Sequence, residues 1–121
     1  MYAENGKLFV EWIDVEKYVY QVAHLISKSG ANISGVYGIP RGGLIFAVLL
    51  SHRLNIPLLA APCKDCLIVD DIADTGKTLV HYKECGYCIT TMFYHSQSCV
   101  APDYWYAKKQ DDWVVYPWEM N

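Results

Sequence analysis

The run Cys66-Leu67-Ile68-Val69-Asp70-Asp71-Ile72-Ala73-Asp74-Thr75-Gly76-Lys77-Thr78 constrains the fold more than any other part of the chain. Four apolar residues lead into two adjacent carboxylates, then a short loop, then a segment with helical apolar spacing. That order predicts a buried parallel strand whose C-terminal end opens into a loop at a helix N-terminus. Such a loop offers unpaired backbone N–H groups and a positive dipole end, which suit a phosphate monoester. The paired carboxylates suit the vicinal hydroxyls of a ribose, or a magnesium ion bridging to them. A sugar phosphate is the first ligand these residues point to. The upstream glycine of a nucleoside-triphosphatase P-loop is absent, so that reading is disfavoured.

The remaining elements follow from periodicity. Lys7 to Trp12 reads as a short strand, Asp14 as an N-cap, and Val15, Tyr18, Val19, Val22, Leu25 and Ile26 as a helix ending at Gly30. Ile33 to Ile39 is a strand broken by Pro40-Arg41-Gly42-Gly43, and Leu44 to Leu54 is a helix apolar on nearly every side. Ile56 to Ala60, Cys66 to Asp70, Tyr87 to Tyr94 and Asp112 to Tyr116 complete the strands, with a helix from about Lys77 to Cys85. Alternating strands and helices predict an α/β fold: an open, mostly parallel, twisted sheet with helices on both faces, as one domain over 1–121. Gly38 to Leu44 is a second strand-to-helix loop, whose glycines let a backbone approach a ligand and whose Arg41 can fork onto an anion.

Composition narrows the classes. With 121 residues, 53% apolar and 19% charged, the chain is long enough for one packed core and too apolar for disorder. A net charge of −3 with two arginines argues against nucleic acid as the main partner. The longest apolar run, Leu44 to Leu50, is too short to span a bilayer, and no secretory leader is evident, so a cytoplasmic protein is expected. Five cysteines are many for such a chain. Cys63-x-x-Cys66 and Cys85-x-x-Cys88 have zinc-ribbon spacing. A strand rising about 15 Å and a helix returning about 13 Å would bring both pairs to the edge opposite the phosphate loop. There they could form a structural zinc site or stay as reduced core thiols.

The acidic strand end with its Asp-Thr-Gly-x-Thr loop resembles the phosphoribosyl diphosphate (PRPP) signature of the type I phosphoribosyltransferases. The tail Gln110-Asp-Asp-Trp113-Val114-Val115-Tyr116-Pro117-Trp118-Glu119-Met120 is similar to that of xanthine-guanine phosphoribosyltransferases. The resemblance implies transfer of a phosphoribosyl group from PRPP to a purine base in purine salvage, with Mg²⁺, by a homodimer. The alternative is a non-catalytic PRPP- or nucleotide-binding module of the same fold. By resemblance, Asp70 and Asp71 hold the ribose and the metal, and Ala73, Asp74, Thr75, Gly76, Lys77 and Thr78 cradle the 5′-phosphate. Asp74 is the general acid/base, and Arg41 and Gly42 take the diphosphate, with a cis peptide in that loop. Trp113 stacks on the base and Val114 reads its edge. The sequence departs from the family twice. His95 stands where a lysine contacts the 6-oxo group, and Ala61 to Lys64 is all that remains of a long flexible flap.

Overall fold

The computed structural model describes residues 1–119; Met120, the last residue of the aromatic tail, lies outside them. The elements in order are β1 (Tyr2–Glu4), β2 (Lys7–Phe9), α1 (Trp12–Ser29), β3 (Val36–Gly38), α2 (Leu44–Leu54), β4 (Leu67–Ala73), a 3₁₀ turn (Lys77–Leu79), α3 (Val80–Glu84), β5 (Cys88–Tyr94), β6 (Tyr104–Lys108) and β7 (Trp113–Val115). β3, β4, β5 and β6 form a four-stranded, wholly parallel sheet in that order. The α/β architecture is the expected one. The first and last strands, however, leave the main sheet and form a separate three-stranded sheet, β1-β2-β7.

The two faces of the main sheet carry different cores. On one, α1 and α2 bury Val15, Tyr18, Val22, Phe46, Ala47 and Leu50 against Val36, Leu67, Val69 and Met92. On the other, Leu79 and the α3 side chains Val80 and Tyr82 pack over Cys66, Ile68, Ala73 and Ile89. The strands are covered on both sides, which explains why β4 reads as an unbroken apolar run. The buried Tyr18 hydroxyl pairs with Thr90 Oγ1 at 3.0 Å and anchors α1 to β5.

Four expectations are corrected. Helix α1 is capped by Glu11, and Asp14 is the reciprocal partner, its Oδ2 accepting the Glu11 N–H at 2.9 Å. The strand expected over 56–60 shrinks to a bridge between Leu58 and Val36, because Pro57 has no N–H for a ladder. Helix α2, whose apolar residues on nearly every side imply a central, covered helix, leaves Leu44 and Val48 facing outward at 40% and 39% exposure. Finally, β1 and β6 are additional strands. Asn5 and Gly6, both at positive φ, turn β1 into β2, and the aromatic run Tyr104-Trp105-Tyr106 builds β6.

Candidate active site

The sheet's connectivity places a crevice before any side chain is considered. Leu58 pairs on the outer side of β3, whereas β4 pairs on its inner side. The chain thus leaves β3 through α2 in one direction and leaves β4 through α3 in the other, along opposite faces. Ligands of open α/β sheets bind at such a reversal, outside the C-terminal ends of the two strands. The loops there are Ile39–Gly43, after β3, and Asp74–Gly76, after β4.

The first of these loops lies against the end of β4. A Cβ on Gly42 would meet Asp71 Oδ2 at 2.6 Å, and one on Gly43 would collide with Val69 O. Only glycine lets the first loop lie against the acidic strand end. The peptide between Pro40 and Arg41 is cis, as the resemblance implied. Arg41 is exposed at the mouth of the crevice. Asp70 Oδ1 accepts the Asp71 N–H at 2.9 Å, and Asp71 Oδ1 accepts the Ile72 N–H at 2.8 Å, so each carboxylate keeps one oxygen outside these bonds. Burial, and then the charge of Asp71, push the Asp70 carboxyl up to about 8. With the Asp71 N–H as its backbone donor and, among the described residues, no cation beside it, such an acid is suited to accept from a ribose hydroxyl or to bind a hard cation.

Beyond β4, Gly76 turns at φ +83, and Ser98 Oγ lies 2.5 Å from where its Cβ would stand. Among the described residues, the N–H groups of Thr75 and Gly76 donate to no backbone carbonyl. Thr75, Lys77 and Thr78 are exposed around them, Asp74 is half-buried and Ala73 is buried. Free amides beside hydroxyls and an ammonium form an anion cradle.

Three comparisons define the kinship. No protein-family model matches the chain. A purine phosphoribosyltransferase from Pyrococcus horikoshii superposes with a TM-score of 0.82 at 30% identity, over 96% of each chain. This chain belongs to the type I phosphoribosyltransferase family. A xanthine-guanine phosphoribosyltransferase from Chromohalobacter salexigens is 25% identical over 137 residues, covering 93% of this chain and 83% of the relative. The fold is shared with a xanthine-guanine-hypoxanthine phosphoribosyltransferase from Helicobacter pylori, at a TM-score of 0.78, 15% identity, and 93% and 91% coverage.

The structure also places this phosphoribosyltransferase's remaining candidates. Trp113 opens β7 and pairs with Lys7 in the small sheet. At 72% exposure it is no core residue and leaves an indole free to stack. Val114 beside it is buried. His95 follows β5, its N–H bonded to Ala73 O at 2.9 Å, which ties it to the phosphate loop. Sequence reasoning missed Gln97, whose amide reaches Asp74 Oδ1 at 3.0 Å; one polar residue among Ser96, Gln97 and Ser98 carries no signal of its own. The connection from 59 to 66 is short, as the missing flap implied.

The cysteines reach one edge of the sheet but do not form a ligand set. Cys66, Cys85 and Cys88 line a cleft of about 580 Å³ there. Cys66 packs into the α3-side core, however, and Cys88 against the α1/α2-side core, because alternate residues on paired strands point to opposite faces. Among the described residues, no three His, Cys, Asp or Glu side chains converge to hold a metal ion. In the same residues no helix is long and apolar enough to cross a membrane.

Proposed function

We propose that this chain transfers the 5-phosphoribosyl group of PRPP to a 6-oxopurine, giving a nucleoside monophosphate and diphosphate, and that it works as a homodimer. One observation carries the reading: a glycine-rich loop with an arginine lies against an acidic pair, Asp70 buried and Asp71 half-buried, that runs directly into an anion cradle. No single-purpose phosphate site needs all three. Family membership makes PRPP the molecule with a diphosphate, a ribose diol and a 5′-phosphate in that order.

In this reading Arg41 and the Gly42 backbone hold the diphosphate, Asp70 and Asp71 the ribose hydroxyls, and Ala73 to Thr78 the 5′-phosphate. The bond from the anomeric carbon to the diphosphate oxygen breaks before the base nitrogen has fully bonded to that carbon. Ribosyl positive charge develops between the two events, and the carboxylate of Asp71 stabilises it electrostatically. Asp74 takes the proton the base gives up, Trp113 stacks on the ring, and Val114 and His95 read its edge. Holding both reactants in line supplies much of the rate, since it replaces a bimolecular encounter. Two carboxylates plus substrate oxygens form the donor set that Mg²⁺ accepts, so Asp70 and Asp71 fit that ion. Bound there, it neutralises charge on the departing diphosphate.

A second reading, a PRPP- or nucleotide-binding module without turnover, is favoured by the short 59–66 connection, which leaves no lid to exclude water. The decisive experiment incubates hypoxanthine, guanine, xanthine and adenine with PRPP and Mg²⁺ and follows nucleotide formation. Turnover of a 6-oxopurine supports transfer. PRPP binding by calorimetry without turnover on any base supports the module.

A further inference from the structure

We propose that Gln97 is a positioning residue that ties the base side of the site to Asp74; the proposal rests on the transfer reading above. After β5 the chain doubles back along the phosphate loop. The His95 N–H bonds Ala73 O at 2.9 Å, the Cys99 N–H bonds Thr75 O at 2.9 Å, and Ser98 packs against Gly76. Gln97 stands in the middle of this seam and makes two bonds of different kinds. Its side-chain amide donates to Asp74 Oδ1 at 3.0 Å, and its backbone N–H donates to His95 Nδ1 at 3.0 Å.

Each bond has a chemical consequence. An imidazole nitrogen that accepts a hydrogen bond carries no proton, so the proton of a neutral His95 resides on Nε2. The ring is thereby fixed as a donor, which is what a carbonyl on a heterocycle requires. At Asp74 the amide occupies one carboxylate oxygen and fixes the side chain's rotation, leaving Oδ2 to receive a proton from the base. One residue thus sets the donor face of His95 and the acceptor face of Asp74. The seam belongs to a loop packed on the sheet edge, so it does the ordering that a closing flap would otherwise supply.

Gln97→Met keeps the side-chain length and the backbone N–H but removes the amide donor. It is expected to lower kcat with a 6-oxopurine about tenfold, with KM for PRPP and Tm unchanged. Gln97→Lys restores a donor within reach of Asp74 and is expected to keep most of kcat. Wild-type kcat in Gln97→Met would overturn the proposal, as would a loss shared by KM for PRPP and Tm, because that marks a merely structural role. The second readout is ¹⁵N NMR of the histidine side chains, with His95→Asn identifying the signal. The expected result is a protonated Nε2 and a bare Nδ1; a proton on Nδ1 overturns the proposal. This readout needs no substrate. A wild type inert on every base sinks the transfer reading, while the tautomer still decides whether the seam is set as described.

Discussion

The two halves of the site are built in opposite ways. The half proposed for PRPP is held by backbone: the loop after β3 lies so close to the end of β4 that Gly42 and Gly43 admit no side chain. The half proposed for the base is side chain: Trp113, 72% exposed, on a three-residue strand of a small sheet, with His95 following β5. The first half cannot move without disturbing the core. The second holds its exposed indole outside that core, beside the buried Val114, so the indole can be altered alone. Recognition of the sugar phosphate is therefore fixed by the fold, whereas choice of base is a local property.

The hardest test of this contrast is Gly43→Ala. The new methyl would collide with Val69 O and approach Asp70 Cα, both backbone atoms of the central strand. Overpacking of this kind costs about 1–3 kcal/mol, and the loop must lift off β4 to relieve it. Both Tm and PRPP binding are expected to fall, measured by thermal melts and calorimetry. If Gly43→Ala binds PRPP normally, the loop is not the rigid half of the site. Asp71→Asn leaves the packing intact and removes one charge from the acidic pair. Loss of a hydrogen bond to a charged group costs about 1.5–3 kcal/mol, so PRPP affinity is expected to drop roughly 10- to 100-fold. Unchanged binding in the Asp70→Asn, Asp71→Asn double variant would remove the sugar-phosphate assignment.

The same contrast explains what could be read in the sequence. The run from Cys66 to Thr78 announces strand, acidic pair and loop because each feature is local and covalently consecutive. Pro40-Arg41-Gly42-Gly43 is legible for the same reason. Less was legible where partners are distant. The sequence shows strands near Lys7 and Asp112, but not that Lys7 pairs with Trp113 outside the main sheet, since register across about a hundred residues leaves no local mark. The Ile56–Ala60 segment has strand composition, yet Pro57 and the abrupt turn toward β4 reduce it to one bridge. The cysteine spacing is that of a zinc ribbon, and the element lengths rightly bring both pairs to one edge. Strand alternation then separates Cys66 from Cys88, and spacing alone does not encode that parity. Gln97 was illegible because its importance lies entirely in what it touches.

Trp113→Ala tests the independence of the base half. Stacking of a base on an aromatic ring contributes about 1–3 kcal/mol where truncation has measured it. KM for the base is expected to rise accordingly, with KM for PRPP and Tm unmoved, because an exposed indole supports no packing. A matching rise in KM for PRPP would show that the halves are coupled through more than the Gln97 seam. Base kinetics identical to wild type would place the purine elsewhere.

The most gradual effect separates the halves by pH. Asp70 titrates near 8 in the ligand-free fold, chiefly through burial and then through Asp71, against an ordinary value of 3.8. Between those values the folded protein holds a proton that the unfolded chain has released. Stability from this group is complete below about pH 4 and is lost as pH rises through about 8, because rising pH favours the unfolded state, which binds fewer protons over that range. The slope for one proton is at most about 1.4 kcal/mol per pH unit, and relaxation of the site will make it smaller. Melts of the ligand-free protein between about pH 5 and 9, a range that brackets the Asp70 transition near 8, are expected to fall with pH, and Asp70→Asn is expected to flatten that fall. Mg²⁺ with PRPP should restore stability at the alkaline end, since opposite charge favours the ionised pair. Trp113→Ala is expected to leave the whole profile unchanged. A profile that Asp70→Asn does not alter would mean the acidic pair is better solvated than its burial implies, and the contrast between a tense phosphate half and a relaxed base half would lose its electrostatic part.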